Sequence, residues 1–174
     1  MRVLVIGAVL VLGVILETTT ISRVALFGVA PNLMLCIIVS YAILRGDTEG
    51  SVAGFVGGLL MDITLGQAMG LFAMLGLLVG YFCGKPFRDF YRESYLLPMV
   101  PAGVMAVFFG MVLYFFNILT IARVNMFYYI GSVVFPVAIY TMIVSIFVYR
   151  LLYVINSFVE LYEKRRRKVF LGRN

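Results

Sequence analysis

The sequence has no histidine, only two cysteines and few charged residues, and each shortage excludes a class of function. Without histidine, and with its 8 acidic residues mostly in segments expected to form loops, the chain cannot assemble a nucleophile, a base and an orienting acid. Cys36 and Cys83 fall inside or at the edge of apolar segments, where cysteine is typically a small buried hydrophobic residue. We therefore expect no catalysis, no disulfide, no metal site and no cofactor.

Apolar residues, by contrast, are in excess. Hydrophobic residues make up 63% of the 174, and the mean hydropathy is +1.08, well above the values of soluble domains. Apolar runs too long for a soluble core fill almost the whole chain, which predicts one integral membrane domain over residues 1–157, followed by a basic tail over 158–174. The net charge of +6 does not indicate nucleic acid, because the basic residues sit in short loops and at the C-terminus.

The uncharged segments predict an all-α protein with six transmembrane helices. The predicted spans are residues 3–22, 31–44, 50–65, 69–83, 95–122 and 124–149. The first has no Ala-x-Ala type cleavage site after its apolar core, so we expect an uncleaved helix rather than a signal peptide. Gly66 and Gly70 divide the apolar segment 50–84 into two short helices, with a re-entrant hairpin as the alternative. Pro31 suits the first turn of the second span, whereas Pro136 inside the sixth should kink it.

The basic residues predict the orientation of these spans. If the N-terminus is cytoplasmic, only Arg23 and Arg123 of the 14 Lys and Arg residues fall on the outer side. This asymmetry fits the positive-inside rule, and it requires an even number of crossings between Arg45 and Lys85. We therefore predict that both termini are cytoplasmic.

A stripe of small residues marks the third span. Gly50, Gly54, Gly58 and Asp62 recur every fourth residue, so they share one slowly rotating face of a helix. Membrane helices associate by close packing rather than by a hydrophobic drive, and a face without Cβ atoms allows a close approach. The stripe predicts a packing groove, used either within the protein alone or also for a partner helix.

Asp62 ends this stripe, and a carboxylate in lipid is costly unless it meets a partner, water or the interface. The predicted topology places it about 18 Å from the inner end of its helix, in the outer half of the membrane, where Arg23 and Arg123 are also expected. Asp62 could therefore pair with an arginine or cap a helix. On this reasoning, the Asp62→Asn variant should lose function if Asp62 forms a salt bridge, and it should function almost normally if Asp62 is a cap.

The basic tail is expected to prolong the last helix into water. Glu160 precedes Lys164 by four residues and Glu163 precedes Arg167 by four, a spacing that supports helix. The basic run 164–168 predicts contact with anionic lipid.

The order of these features resembles the MreD family of bacterial rod shape-determining proteins. The residues that carry the resemblance are Thr18 to Thr20, Pro31, Asn32 and Leu33, then Leu44, Arg45 and Gly46, then Gly54, Phe55, Gly58, Leu59, Leu60 and Asp62, and finally Gly70, Gly80 and Tyr81. It covers nearly all of the chain up to residue 90 and is architectural beyond it. Asn32 stands where the family commonly has an acid.

The resemblance implies a non-enzymatic component of the cell-elongation and peptidoglycan-synthesis machinery in the bacterial inner membrane. Its partners would be the bitopic coiled-coil protein MreC and, through it, the MreB filament, RodA and a penicillin-binding transpeptidase. The implied fold is that of the six-helix substrate-binding subunits of energy-coupling factor transporters. The partner-binding residues would be Pro31, Asn32, Gly50, Gly54, Phe55, Gly58 and Asp62.

A vitamin transporter subunit of that kind is the main alternative function. Such subunits typically carry Ala-x-x-x-Ala spacing in the first helix, whereas here Ala8 is followed four residues later by Leu12. A lipid or precursor carrier is a third possibility, and it would require several polar residues around one cavity.

Overall fold

The protein is described from a computed structural model covering residues 2–23, 30–65, 70–90, 98–120 and 129–171. This part of the chain is helical throughout and contains no strand, as the sequence predicts. The elements are α1 (Arg2–Arg23), α2 (Leu33–Arg45), α3 (Asp47–Leu65), α4 (Leu71–Phe90), α5 (Met99–Thr120), a π-helical segment (Ile130–Val134) and α6 (Phe135–Leu171).

Helix α2 occupies the centre of the bundle. It is apolar all round, which is typical of a helix buried on every side, and every residue from Met34 to Leu44 is buried. It packs against α1, α3, α4, α5 and α6. With 13 residues it is only about 20 Å long, less than the hydrocarbon thickness, and the surrounding helices cover it.

By length and composition, two described segments can cross a membrane unaided, Met99–Phe116 and Ile130–Val159. Shorter apolar helical segments occur at Leu4–Thr19, Leu33–Arg45 and Leu71–Lys85. Among the described residues, the two segments long and apolar enough to cross are thus in the C-terminal half, and the shorter apolar segments are in the N-terminal half.

Local signals set the ends of α2. Pro31 precedes the helix instead of opening it, which corrects the predicted start by two residues. The Asn32 side chain caps the helix because its Oδ1 accepts the N–H of Leu35 at 2.8 Å. At the other end Gly46 has φ 102, a conformation that favours glycine, and its N–H donates to Ala42 O at 2.7 Å. This single residue joins α2 to α3.

Helices α3 and α4 form the hairpin that the sequence predicts for segment 50–84. They have 19 and 20 residues, so each is about 30 Å long instead of the predicted 24 Å. The predicted bounds were too short because the charged flanking residues Asp47, Glu49 and Lys85 are part of the helices. Gly70, with φ 93, precedes α4, and Gly66 lies outside the described residues.

The last helix adjusts to Pro136 by widening the turn before it. Proline has no N–H to donate within a helix, and the preceding segment is π-helical, with the Phe135 N–H donating to Ile130 O, five residues earlier. From Phe135 the helix continues for 37 residues to Leu171. The backbone of the basic run is therefore helical, while the Glu160 and Glu163 pairs predicted there lie outside the described side chains.

Candidate functional site: the glycine-lined helix pair and the carboxylate caps

The glycine stripe of α3 lies directly against α4. A Cβ added at Gly54 would overlap the carbonyl group of Gly76, and one added at Gly58 would overlap the carbonyl group of Phe72. A Cβ at Gly50 would come within 2.6 Å of the Ala42 Cβ atom and 3.1 Å of Gly80 O. The two helices therefore meet backbone to backbone, as close packing of membrane helices requires.

Helix α4 contributes a matching stripe that the sequence analysis did not recognise. Gly76, Gly80 and Gly84 recur every fourth residue, and each would clash through an added Cβ with the backbone of α3 or of the turn before it. The four-residue spacing of these glycines was enough to predict a second packing face. It does not show which helix lies against that face.

The predicted groove is thus filled by α4 of the same chain. No partner helix can lie on Gly50, Gly54 and Gly58 while α4 covers them. A role of these glycines in partner binding stays a prediction, and that role would be indirect, because they position α3 against α4. Phe55 differs, because 44% of its surface is exposed. It belongs to an outward apolar face of α3, with Val52, Val56, Leu59 and Ile63.

Asp62 is a helix cap, and it is only 4% exposed. Its Oδ1 accepts the N–H of Phe72 at 3.0 Å, while Oδ2 accepts the N–H groups of Gly70 and Ala73 at 3.1 and 3.0 Å. These donors are Gly70, directly before α4, and two residues of its first turn, where free N–H groups and the helix dipole favour a negative charge. The carboxylate therefore fixes the end of α3 to the start of α4.

The geometry also changes the expected effect of Asp62→Asn. A cap that used one oxygen would tolerate an amide, but both oxygens of Asp62 accept hydrogen bonds. The NH₂ group of an asparagine would face a backbone donor, so near-normal behaviour is no longer the expectation for a cap. Arg123 and the side chain of Arg23, the predicted ion-pair partners, lie outside the described residues.

Glu17 is a second carboxylate cap, which the sequence analysis did not identify. It is 5% exposed, and its Oε2 accepts the N–H of Met34 at 2.6 Å, at the start of α2. Each of the two acids thus comes from near the end of one helix and caps the next. The signal in the sequence was an acid near the end of an apolar segment that is followed by another helix.

Asn32 and Pro31 lie where α2 meets α6. The Asn32 N–H donates to Thr141 Oγ1 at 3.2 Å, and the Cys36 thiol is 3.4 Å from Thr141 O. Pro31 is buried beside them. These contacts tie the start of the central helix to the last helix.

Two of the predicted site residues come together around one small cavity. Asn32 and Gly58 line a space of about 10 Å³, together with Phe72 and Phe109, whose ring centroids are 5.5 Å apart. Such a volume holds at most about one water molecule. Gly50 and Phe55 do not line this space.

The described polar groups of this region serve structure and packing. Both buried carboxylates are occupied by backbone donors, and no cluster of three His, Cys, Asp or Glu suited to a metal occurs within the described residues. The arrangement defines a class: a polytopic α-helical membrane protein built on a glycine-lined helix pair and carboxylate caps.

Comparison with known protein families identifies the particular group. The chain matches the family described as rod shape-determining protein MreD over residues 1–162, and it belongs to that family. This confirms the resemblance seen in the sequence and places the protein in a membrane protein family with a role in rod shape determination. Comparison with curated proteins and with solved structures gives no significant match, so the likeness to energy-coupling factor subunits stays a prediction.

Proposed function

We propose that the protein is a non-enzymatic membrane component of the bacterial cell-elongation machinery that binds the bitopic protein MreC. Through MreC it would be linked to the MreB filament, to RodA and to a penicillin-binding transpeptidase. The observation that carries this proposal is the family match, because it includes α1 to α5 and most of α6.

The exposed face of α3 is the surface that we propose for the MreC transmembrane helix. Phe55 stands at its centre, between Val52 and Leu59, and all three are exposed. The opposite face of α3 is fixed by the glycine contacts with α4, so this surface is held rigidly. A rigid apolar ridge with an aromatic side chain suits an intramembrane helix, whose association depends on packing.

Co-purification of an MreC-type protein with the Phe55→Ala variant tests this surface. We expect the affinity for the partner to fall about thirtyfold, the loss typical of a buried aromatic anchor, so that much less partner is recovered. Phe147→Ala, at a 73% exposed position on α6, is the matched control and should retain the partner. Equal recovery from both variants would remove Phe55 from the interface.

Loss of the whole protein tests the proposed function itself. Cells that lack it should round up, and the protein should bring down a single-span coiled-coil partner from detergent extracts. Recovery of a tightly bound vitamin without any such partner would instead support a transporter subunit.

The proposed topology has both termini in the cytoplasm. Single cysteines in a cysteine-free background should separate the two sides: positions Thr48 and Phe170 should label only with a permeant reagent, and Ser22 should label from outside. Thr48 is preferred to Gly46, whose φ of 102 would strain a cysteine. Outside labelling of Thr48 would overturn this topology.

We further propose that the basic tail contacts anionic lipid. The helical backbone that continues to Leu171 would present the run 164–168 beside the membrane. Removal of residues 165–174 should leave insertion intact and weaken attachment to anionic vesicles by about 1 kcal/mol per basic residue. An inverted last helix would show instead that the tail sets the topology.

A further inference from the structure

A cleft opens between α1 and α3 at the end of the molecule where α1 begins. Further along, α1 approaches its neighbours closely, because Gly13 lies against Ile37 and Gly57 lies against Leu10 and Met34. Toward the N-terminus of α1 the helices separate and leave a cavity of about 470 Å³. Its walls are formed by Ile6, Gly7, Leu10, Tyr41, Thr48, Glu49, Val52, Ala53 and Val56.

A smaller space of about 30 Å³ continues this cavity toward the last helix. The two share Ile6, Leu10, Tyr41 and Ala53, and the smaller one extends to Arg45 and to Asn156 of α6. The cleft therefore joins four helices.

The walls of the cleft are apolar along most of their length and polar at one end. Arg45 is the last residue of α2, and Glu49 lies in the first turn of α3, so both charges stand where these two helices meet. The Tyr41 hydroxyl donates to Glu49 Oε2 at 2.9 Å, which holds the carboxylate at the edge of the cavity. Glu49 lines the larger cavity and Arg45 lines the adjoining smaller space, so the polar end of the cleft carries one anionic and one cationic side chain.

The size of the cavity distinguishes between its possible occupants. A helix about 10 Å wide with a rise of 1.5 Å fills roughly 120 Å³ per residue, so the cavity has room for about one helical turn. A transmembrane helix therefore does not fit into it. Ligand cavities of about 300–1,000 Å³ with a few polar groups are typical of small molecules, and in a bilayer the molecules that surround the cleft are lipids.

We propose that this cleft binds a phospholipid with an ethanolamine head group. One acyl chain lies between α1 and α3, the phosphate meets the Arg45 guanidinium, and the ammonium group meets the Glu49 carboxylate. Guanidinium and phosphate form strong charge-assisted hydrogen bonds, and a carboxylate is the matching acceptor for an ammonium group. A lipid with a glycerol head group has no cation to offer Glu49. The cleft shares Val52 and Val56 with the outward face of α3 but does not include Phe55, the centre of the proposed MreC surface. In the proposed topology the cleft faces the cytoplasmic leaflet.

Filling the cavity tests whether a lipid chain occupies it. Nothing lies within 4 Å of a Cβ placed at Gly7, so Gly7→Phe can enter the cavity without a backbone clash. Ala8→Phe is the matched control, since Ala8 is the next residue of α1 and is exposed outside the cavity. Native mass spectrometry of the full-length protein should show a phospholipid adduct in the wild type and in Ala8→Phe, and its loss in Gly7→Phe. An adduct retained equally by Gly7→Phe would overturn the proposal, as would a second copy of the chain in place of lipid.

Glu49→Gln tests the head group. The amide keeps an acceptor for Tyr41 but removes the charge. With lipids of identical chains, the wild type should bind phosphatidylethanolamine about tenfold more tightly than phosphatidylglycerol, as expected for one charge-assisted hydrogen bond. The variant should bind the two within about twofold, because the difference depends on the charge of Glu49. A wild type that binds phosphatidylglycerol equally well would overturn the head-group assignment.

Discussion

The α3–α4 pair and the α5–α6 pair both place glycine between helices, but they use it differently. Between α3 and α4, a Cβ at Gly54 or Gly76 would overlap the opposing backbone. Between α5 and α6, the atoms nearest to Gly103 belong to the Met142 side chain. Those nearest to Gly110 belong to the side chain of Val134, the last residue of the π-helical segment before α6, at 3.1–3.6 Å. A side chain can rotate away, whereas a backbone can move only if the whole helix moves. The first pair should therefore be rigid and the second adaptable.

The connections of the two pairs differ as well. The Asp62 carboxylate closes the α3–α4 turn through three backbone donors. In the other pair, Tyr114 of α5 stacks on Tyr129 with ring centroids 4.8 Å apart. Directional hydrogen bonds fix a turn more strictly than an aromatic contact does.

The largest effect is expected from Gly54→Leu in the rigid pair. Because the added side chain would have to displace α4, we expect the free energy of unfolding to fall by about 3 kcal/mol or more. Little folded protein should then be found in the membrane. Abundance and thermal stability in detergent measure this. Leu59→Met, on the exposed face of the same helix, should remain near the wild type. Normal abundance of the glycine variant would show that the pair is not rigid.

Asp62→Asn should have the next largest effect and lower the free energy of unfolding by about 1–3 kcal/mol, since the amide NH₂ group faces a backbone donor of α4. Thermal unfolding in detergent should show a lower midpoint. Thr64→Ala, at an exposed position one residue before the end of α3, is the control and should change the midpoint little. An unchanged midpoint for Asp62→Asn would mean that the three hydrogen bonds contribute nothing to stability.

Glu17→Gln makes the same chemical change at the other cap but should cost less, about 1 kcal/mol or below. Among the described contacts Glu17 accepts through Oε2 alone, so the amide oxygen can replace it. Glu17→Ala should cost about 1–3 kcal/mol, because the Met34 N–H is then left without its acceptor. The same thermal measurement applies. If Glu17→Gln were as damaging as Glu17→Ala, the charge itself would be required.

Gly76→Ala and Gly103→Ala make the same change in the two pairs, so comparing them tests the contrast directly. The first should cost about 1–3 kcal/mol through overpacking against backbone. The second should cost about 1 kcal/mol or less, because Met142 can adopt another rotamer and alanine favours helix. Thermal midpoints of the two variants measure the difference. Equal losses would contradict the contrast between a rigid and an adaptable pair.

The positions of the helices were largely predictable from the sequence. Apolar segment lengths, Gly66, Gly70 and the prolines predicted six helices with bounds accurate to a few residues in most cases, because these signals act locally. The errors were also local: the charged residues at the ends of α3 and α4 continue the helices, and Pro31 precedes α2 instead of opening it. The family resemblance was predictable too, since it depends on motifs along the chain.

The sequence by itself determined a helical membrane protein with a close-packing stripe at Gly50, Gly54 and Gly58, because hydrophobic length and four-residue spacing are properties of a single segment. Only the tertiary structure decided that α4 fills this stripe, that Asp62 and Glu17 cap the helices that follow them, and that α1 leaves a cleft beside α3. These features depend on which helices become neighbours. That choice is made by packing among all six helices around α2, and no single segment encodes it.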